Sequence, residues 1–300
     1  MKTNMKLLLC LLVLCSSNRV LLAQDYFALD AVSPIAAGDS LWTEELTWIE
    51  VRDAVAAGMT TVIIGTGGIE QNGPYLVTGK HNYVLATVMP YIAEEIGNAL
   101  IAPIVKFVPE GSIDEKSGHM AFPGTISLEQ TTFEALLADI CRSYAAHGFT
   151  DIVLIGDSGG NQRGMANVAE SLNALWQDAD TRVHHLAEFY TEDRWSYDFL
   201  KSRGITQIDT TPPVGESEDR RTDRRNNMHD DIYYEAQTAV QDPELIRTRQ
   251  RIDAGLFSLH GVDLSPVTRT VEIGEALARY RAEITARAFR ESLNTLRAQL

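Results

Sequence analysis

At 300 residues, with 45% hydrophobic and 22% charged side chains, the chain has the composition of a globular protein, with length for one large domain or two small ones. Its formal net charge of −15 repels nucleic acid and anionic membrane surfaces. No stripe of Lys and Arg overcomes that charge, because the densest basic run, EDRRTDRRNN at 218–227, is interleaved with acids as a solvated loop would be.

The first residues carry Lys2 and Lys6 before an apolar run from Leu7 to Leu14, and a small residue, Ala23, offers a cleavage point. That pattern predicts a secretory signal peptide over 1–23, and with it a secreted or periplasmic protein whose single domain is 24–300. The apolar run is too short to span a bilayer. Cys10 and Cys15 both follow Leu, which argues against lipidation. Cleavage would remove Lys2, Lys6 and Arg19, taking the charge from −15 to −18, and would leave Cys141 without an intramolecular partner. Cys141 then reads as a small hydrophobe in a helix.

In chain order, WTEELTWIEVRDAVAAGM predicts a helix and TTVIIGT (60–66) a buried strand ending in glycines. HNYVLATVMPYIAEEIGN follows as an amphipathic helix and ALIAPIV as a strand. SLEQTTFEALLADICRSYAAHG is a helix with Ser127 and Gln130 spaced as a capping box and an apolar face of Phe133, Leu136, Leu137, Ile140 and Tyr144. DIVLIGDSGGN is a strand that breaks into a Gly-rich turn, followed by a helix and by the strand TRVHHLAEFY, where His184 and His185 read as packing residues. Strands separated by helices imply crossovers, a mostly parallel sheet covered on both faces and an α/β fold. Ligands in such sheets gather beyond the carboxyl ends of the strands, which points to the loops after Thr66, Val105 and Ile155. Residues 201–228 form a polar, Pro-containing loop or flap, and 267–300 a long helix with sparse apolar positions, expected on the outside of the domain or against another subunit.

GDSGG resembles the surroundings of a serine-protease nucleophile. Here it follows a buried parallel strand, lacks an upstream histidine segment, and has its glycines out of register for a nucleophile elbow. The turn instead allows a tight bend that projects Asp157 into the ligand crevice, or lets Asp157 or Ser158 cap the next helix.

GTGGIEQNGPYLVTGKH (65–81), SGHMAFPGTISL (117–128), HGFTDIVLIGDSGGN (147–161) and HDDIYYEAQTAVQDPELIR (229–247) together resemble the creatininase family in order and spacing. The resemblance implies a three-layer α/β/α sandwich, a two-metal site of zinc or manganese, hexameric assembly, and hydrolysis of small amides, cyclic amides or peptide bonds. The family's first loop reads E-Q-H-G-P-H-L-P-L-G-T-D, with metal on its glutamate, first histidine and aspartate. This chain keeps Glu70 but has Asn72 at the histidine and His81 at the aspartate, while Tyr75 replaces a further histidine as a candidate substrate contact. In G-H-G-G-N the metal-binding histidine falls at Ser158, one residue after Asp157. His229 matches the family's proton-shuttling histidine, but two glutamates of that segment fall at Ile232 and Tyr234.

Two readings follow. In the first, Glu70, His81 and Asp157 hold one divalent metal, His229 and Glu70 serve catalysis, and His119, Asn72, Tyr75 and Ser158 line the site of a small-amide hydrolase; a second metal lacks its histidine. In the other, the loops hold no metal and the fold serves a binding protein. Asp230, Asp231 and Glu235 are either part of this site or solvated surface charge.

Overall fold

The computed structural model describes residues 27–191, 194–206 and 230–298. The signal-peptide assignment, most of the 201–228 loop and His229 lie outside them. Two compact units are present, one ending at Ala37 and one running from Gly38. In the described part of the first, a turn closes through the Ala31 N–H donating to the Ala28 carbonyl (2.9 Å).

The second unit is built on a parallel sheet in the order β2-β1-β3-β4, with β1 at Thr61–Thr66, β2 at Ala99–Ile101, β3 at Asp151–Gly156 and β4 at Arg182–His185. Every residue of β1 and β3 is buried, because helices cover both faces. Alternation sorts their side chains. Val62, Ile64, Ile152 and Leu154 face one layer, with Phe133, Leu137 and Cys141 of α3 (Gln130–Ala146) and Met165, Val168 and Leu172 of α4 (Gly159–Leu175). Ile63, Val153 and Ile155 face the opposite layer, with Leu85, Val88, Met89 and Ile92 of α2 (Lys80–Ile96) and Ala278, Ala282 and Phe289 of α9 (Val267–Arg297). This is the expected three-layer α/β/α sandwich. No helix of the described residues is long and apolar enough to cross a membrane.

Several local expectations change. The first predicted helix is a 3-10 turn at Thr43–Glu45 followed by α1 (Trp48–Ala56), because Thr47 and Glu50 form a capping box that starts the helix afresh. The ALIAPIV strand shortens to β2, with Val105 left as an isolated bridge to Thr66. The capping box at Ser127 is absent: Glu129 precedes α3, and the Ser127 hydroxyl accepts from Glu110 N–H (2.9 Å) and donates to Gly111 O (2.7 Å). Leu136, placed on the apolar face, is 41% exposed. Cys141 is buried, and that burial pushes its thiol up to about 12, as befits a packing residue.

The C-terminal half follows as α5 (Glu188–Thr191), α6 (Arg194–Ser202), α7 (Ile232–Gln241), α8 (Thr248–Asp253) and a hairpin of β5 (Ser258–Leu259) with β6 (Val262–Asp263). α9 is not an outer helix. It packs on both α2 and α7, and the sparse apolar pattern misled because its buried face mixes Leu277, Ile284 and Phe289 with the small residues Gly274, Ala278, Ala282, Thr285 and Ala286 and one arginine, Arg281. At the α7 crossing a Cβ on Gly274 would lie 2.1 Å from the Ala236 carbonyl oxygen. Gly274→Ala must therefore push the helices apart, at a cost of about 2 kcal/mol or a midpoint fall of about 5 °C. A thermal melt checks this; an unchanged midpoint would show the crossing to be loosely packed.

Far from the loops, Asp151 accepts from His184 Nε2 (3.2 Å) and Arg297 Nη2 (3.0 Å). Burial alone would raise its pKa, but the hydrogen bond from His184 and the neighbouring charges hold it below the usual carboxylate range. A lowered folded pKa gives stability that is complete above the unfolded value of about 3.9 and is lost as pH falls through the folded value. Asp151→Asn should thus be less stable than wild type at pH 7 and approach it as pH falls through the folded value, as read by denaturant unfolding. A gap that kept the same size as pH fell would assign it to packing.

Candidate active site

The three loops predicted from the sheet converge. Glu70 lies beyond β1, Glu110 and His119 on the long connection after β2, and Asp157 at the end of β3. Asn161, on the first turn of α4, donates through Nδ2 to Thr66 O (3.0 Å) and Gly67 O (2.9 Å), fixing the first loop to the third. Asn82 holds the first loop from α2 by donating to Gly68 O (2.9 Å). Two glycines permit the close approach: Gly68 has φ 157° with Glu110 Oε1 2.1 Å from where a Cβ would stand, and at Gly160 that atom would meet Pro109 O at 2.3 Å.

Within these loops runs a line of alternating basic and acidic groups. His119 Nε2 lies 3.1 Å from Glu70 Oε2, and Glu70 Oε1 lies 2.7 Å from His81 Nε2. The other ring nitrogen, His81 Nδ1, is 2.7 Å from Asp157 Oδ2, and Asp157 Oδ1 accepts from Arg281 Nη1 (2.8 Å). Arg281 is held in turn by Phe189 O, to which Nε (3.1 Å) and Nη2 (2.7 Å) donate, and by stacking 3.5 Å from the Phe189 ring centroid. Lys80 Nζ joins from the first turn of α2, 3.5 Å from Glu70 Oε1 and 4.1 Å above the Tyr234 ring.

Burial and Lys80 both act to lower the His81 pKa, but the hydrogen bonds to Asp157 and Glu70 outweigh them and raise it. A carboxylate oxygen 2.7 Å from each ring nitrogen favours the charged form of the His81 ring. Burial works to raise the Asp157 pKa, yet Arg281 and His81 bring it below the ordinary value. Lys80 is lowered by burial, against the attraction of Glu70, Asp157, Asp231 and Asp230. Glu110 goes the opposite way, up to about 10, through burial first and then the Glu70 charge; it is a neutral carboxyl bonded to Glu70 and faced by Ser158.

Glu70, His81 and Asp157 are thus brought together, but as a chain with the imidazole in the middle. A divalent metal needs a ring lone pair and oxygens at about 2.0–2.2 Å around one point. Here the two carboxylates sit on opposite ring nitrogens rather than around one point, and Lys80 and Arg281 each stand beside one of them, where a cation would have to go. The donor set does not fit the expected three-ligand metal centre, and among the described residues no group of three or more His, Cys, Asp or Glu is arranged to hold one. The exchange of an aspartate for His81 preserved the count of ligand types without preserving a shared centre.

The remaining candidates take other roles. Asn72 donates through Nδ2 to Glu70 O (2.9 Å) and Val77 O (3.0 Å), shaping the loop. Tyr75 lies under Arg251, 4.4 Å from ring centroid to guanidinium. Ser158 is buried against Glu110 and makes no side-chain cap on α4. Asp230 and Glu235 are buried rather than solvated; burial and Glu235 push Asp230 up to about 9, and Arg251 Nη1 pairs with Glu235 Oε1 at 2.7 Å. Lys80, Glu110 and Arg281 were missed from sequence. The available signal for Arg281 was its place between Leu277 and Thr285 on a face otherwise made of small and apolar residues.

The family model described as Creatininase: Creatinine amidohydrolase matches residues 44–279. The chain belongs to the creatininase family. A creatinine amidohydrolase of Pseudomonas putida is 28% identical over 168 residues, which are 56% of this chain and 62% of that protein. A mycofactocin precursor peptide peptidase of Mycolicibacterium smegmatis is 30% identical over 123 residues, 39% of this chain and 47% of the relative. Both alignments thus span less than two thirds of the relative. Among solved structures, a manganese creatininase superposes with TM-score 0.60 at 22% identity, covering 84% of this chain and 98% of the other. A Zn–Zn form of a mutant creatininase gives 0.57 at 23% identity, covering 85% and 98%. These superpositions establish the fold. Creatininase structures thus carry manganese or zinc.

Proposed function

We propose that this chain hydrolyses the carbon–nitrogen bond of a small amide or cyclic amide, with His119 as general base. One observation carries the reading: the buried line Arg281–Asp157–His81–Glu70 ends at His119, whose side chain is 15% exposed while the others are at 4% or less. A buried carboxylate that fixes a partly exposed imidazole is the arrangement general-base catalysis needs. With His119 Nε2 3.1 Å from Glu70 Oε2, Nδ1, which lies 3.5 Å from the Gln71 amide nitrogen, is the atom proposed to accept a proton from water. Glu70 stabilises the imidazolium that forms. α4 starts without a side-chain cap, and in this reading the N–H groups of the exposed Gly159 and Gly160, with the helix dipole, receive the developing oxyanion. His229, retained from the family pattern, is the proposed donor to the leaving nitrogen.

The candidate substrate recess is a cavity of about 380 Å³ beside Gln71, lined also by Asn72, Gly73, Pro74, Phe122 and Pro123. That volume suits a small amide. The relatives' substrates, creatinine and a precursor peptide, bracket the chemistry. Secretion to the periplasm or medium and assembly as a homo-oligomer belong to the same proposal.

A second reading, a non-catalytic binding protein, is favoured by Asn72 and Ser158 standing at inherited ligand positions. Amine or ammonia release from a panel of cyclic amides including creatinine, formamides and dipeptides separates the two. Turnover of one class supports the hydrolase; saturable binding by calorimetry with no turnover supports the binding protein.

A further inference from the structure

We propose that Lys80 and Arg281 neutralise Glu70 and Asp157 in place of divalent metal, so that the folded chain neither requires nor retains an ion at this centre. This holds whether or not the chain hydrolyses an amide. Related structures are manganese and Zn–Zn forms, and their family pattern has Thr-Asp where this chain has Lys80-His81. Those two neighbouring positions each gain positive charge relative to the pattern, one by adding an ammonium, the other by exchanging a carboxylate for an imidazole.

Geometry shows where that charge goes. The ammonium of Lys80, a fully buried residue, is 3.5 Å from Glu70 Oε1 and stacked 4.1 Å over Tyr234, itself one of the positions at which the pattern has glutamate. A carboxylate has become the aromatic face on which the cation rests. Arg281, with its side chain 4% exposed, meets Asp157 Oδ1 at 2.8 Å and has two more donors on Phe189 O. Arg281 lies two residues beyond the stretch matched by the family model. Between the two pairs His81 joins the carboxylates by 2.7 Å hydrogen bonds on both sides. Each carboxylate is therefore met by a basic side chain of its own, Lys80 or Arg281, and by the same imidazole. A metal would have to displace a guanidinium, which does not deprotonate, or an ammonium sealed behind an aromatic ring.

The test uses the full chain purified from medium containing zinc and manganese. Elemental analysis is expected to find less than about 0.1 equivalent of either metal, and the thermal midpoint is expected to stay within about 1 °C with EDTA or with excess zinc or manganese. About one equivalent surviving gel filtration, or a midpoint that falls on chelation, would overturn the proposal. Lys80→Thr restores the residue of the family pattern, and its midpoint should fall by roughly 10 °C. Lys80→Thr as stable as wild type would also overturn it, and should the variant not fold, the wild-type metal and chelator measurements decide.

Discussion

His119→Ala is expected to lower kcat for amide hydrolysis by roughly 10²–10⁴-fold while changing KM much less. The effect lies in the transition state because His119 is placed to move a proton rather than to hold the substrate. Its Nε2 lies 3.1 Å from Glu70 Oε2, and Nδ1, on the Gln71 side of the ring, is the proposed base. The folded state should tolerate the change, since the side chain is partly exposed and Glu70 keeps His81 and Lys80 within 2.7 and 3.5 Å. A melting midpoint near wild type, together with the kinetic loss, separates a catalytic role from a structural one. His119→Gln, which can still donate to Glu70 but cannot accept a proton at matching pKa, should fail as fully as alanine. Steady-state rates on whichever amide turns over give the answer, and a kcat within threefold of wild type in either variant would remove His119 from the mechanism.

The sheet was legible because β1 and β3 are short apolar runs rich in β-branched residues and followed by glycines, a pattern that a parallel strand buried on both faces imposes directly. From that followed the three loops, and hence the neighbourhood of Glu70, His119 and Asp157. The local errors have a common origin. Ser127 has the spacing of a cap, but its hydroxyl is already committed to the backbone of Glu110 and Gly111, a contact made across the loop that spacing cannot reveal. α9 looked peripheral because a helix that packs closely on two others uses small residues, as at Gly274, and these score low as hydrophobes.

The site was legible as a set of residues and illegible as an arrangement. Reading Glu70, His81 and Asp157 as ligands counted donor types, and a count does not say that the imidazole lies between the carboxylates. Two cations decide the matter. Lys80 adjoins His81 in sequence and was available to the reading, but a lysine at a helix start is usually solvated, and only its burial against Tyr234 shows otherwise. Arg281 is 124 residues from Asp157, and nothing local links them. Glu110 is harder still: its neutral state comes from desolvation beside Glu70, a property of the assembled loops.

Asp157→Ala should be among the most destabilising single changes in the chain, at about 3–5 kcal/mol or a midpoint fall of roughly 10 °C. The substitution removes one carboxylate and strands two cations, Arg281 and the His81 imidazolium, in a site where Asp157 is fully buried. His81 can respond by losing a proton. Arg281 cannot, and its remaining contacts, the Phe189 carbonyl and ring, do not neutralise it. Asp157→Asn keeps the shape but offers one acceptor oxygen where two donors, 2.7 and 2.8 Å away, need one each, so it should lose most of the same stability. Ser158→Ala, one residue on, removes a hydroxyl that faces neutral Glu110 and should cost about 1 kcal/mol. Denaturant unfolding of the three variants therefore ranks the neighbours of the GDSGG turn by the charge they carry. If Ser158→Ala proved as costly as Asp157→Ala, the ion network would not be what holds these loops together, and the hydroxyl would have to be given the part assigned to the carboxylate.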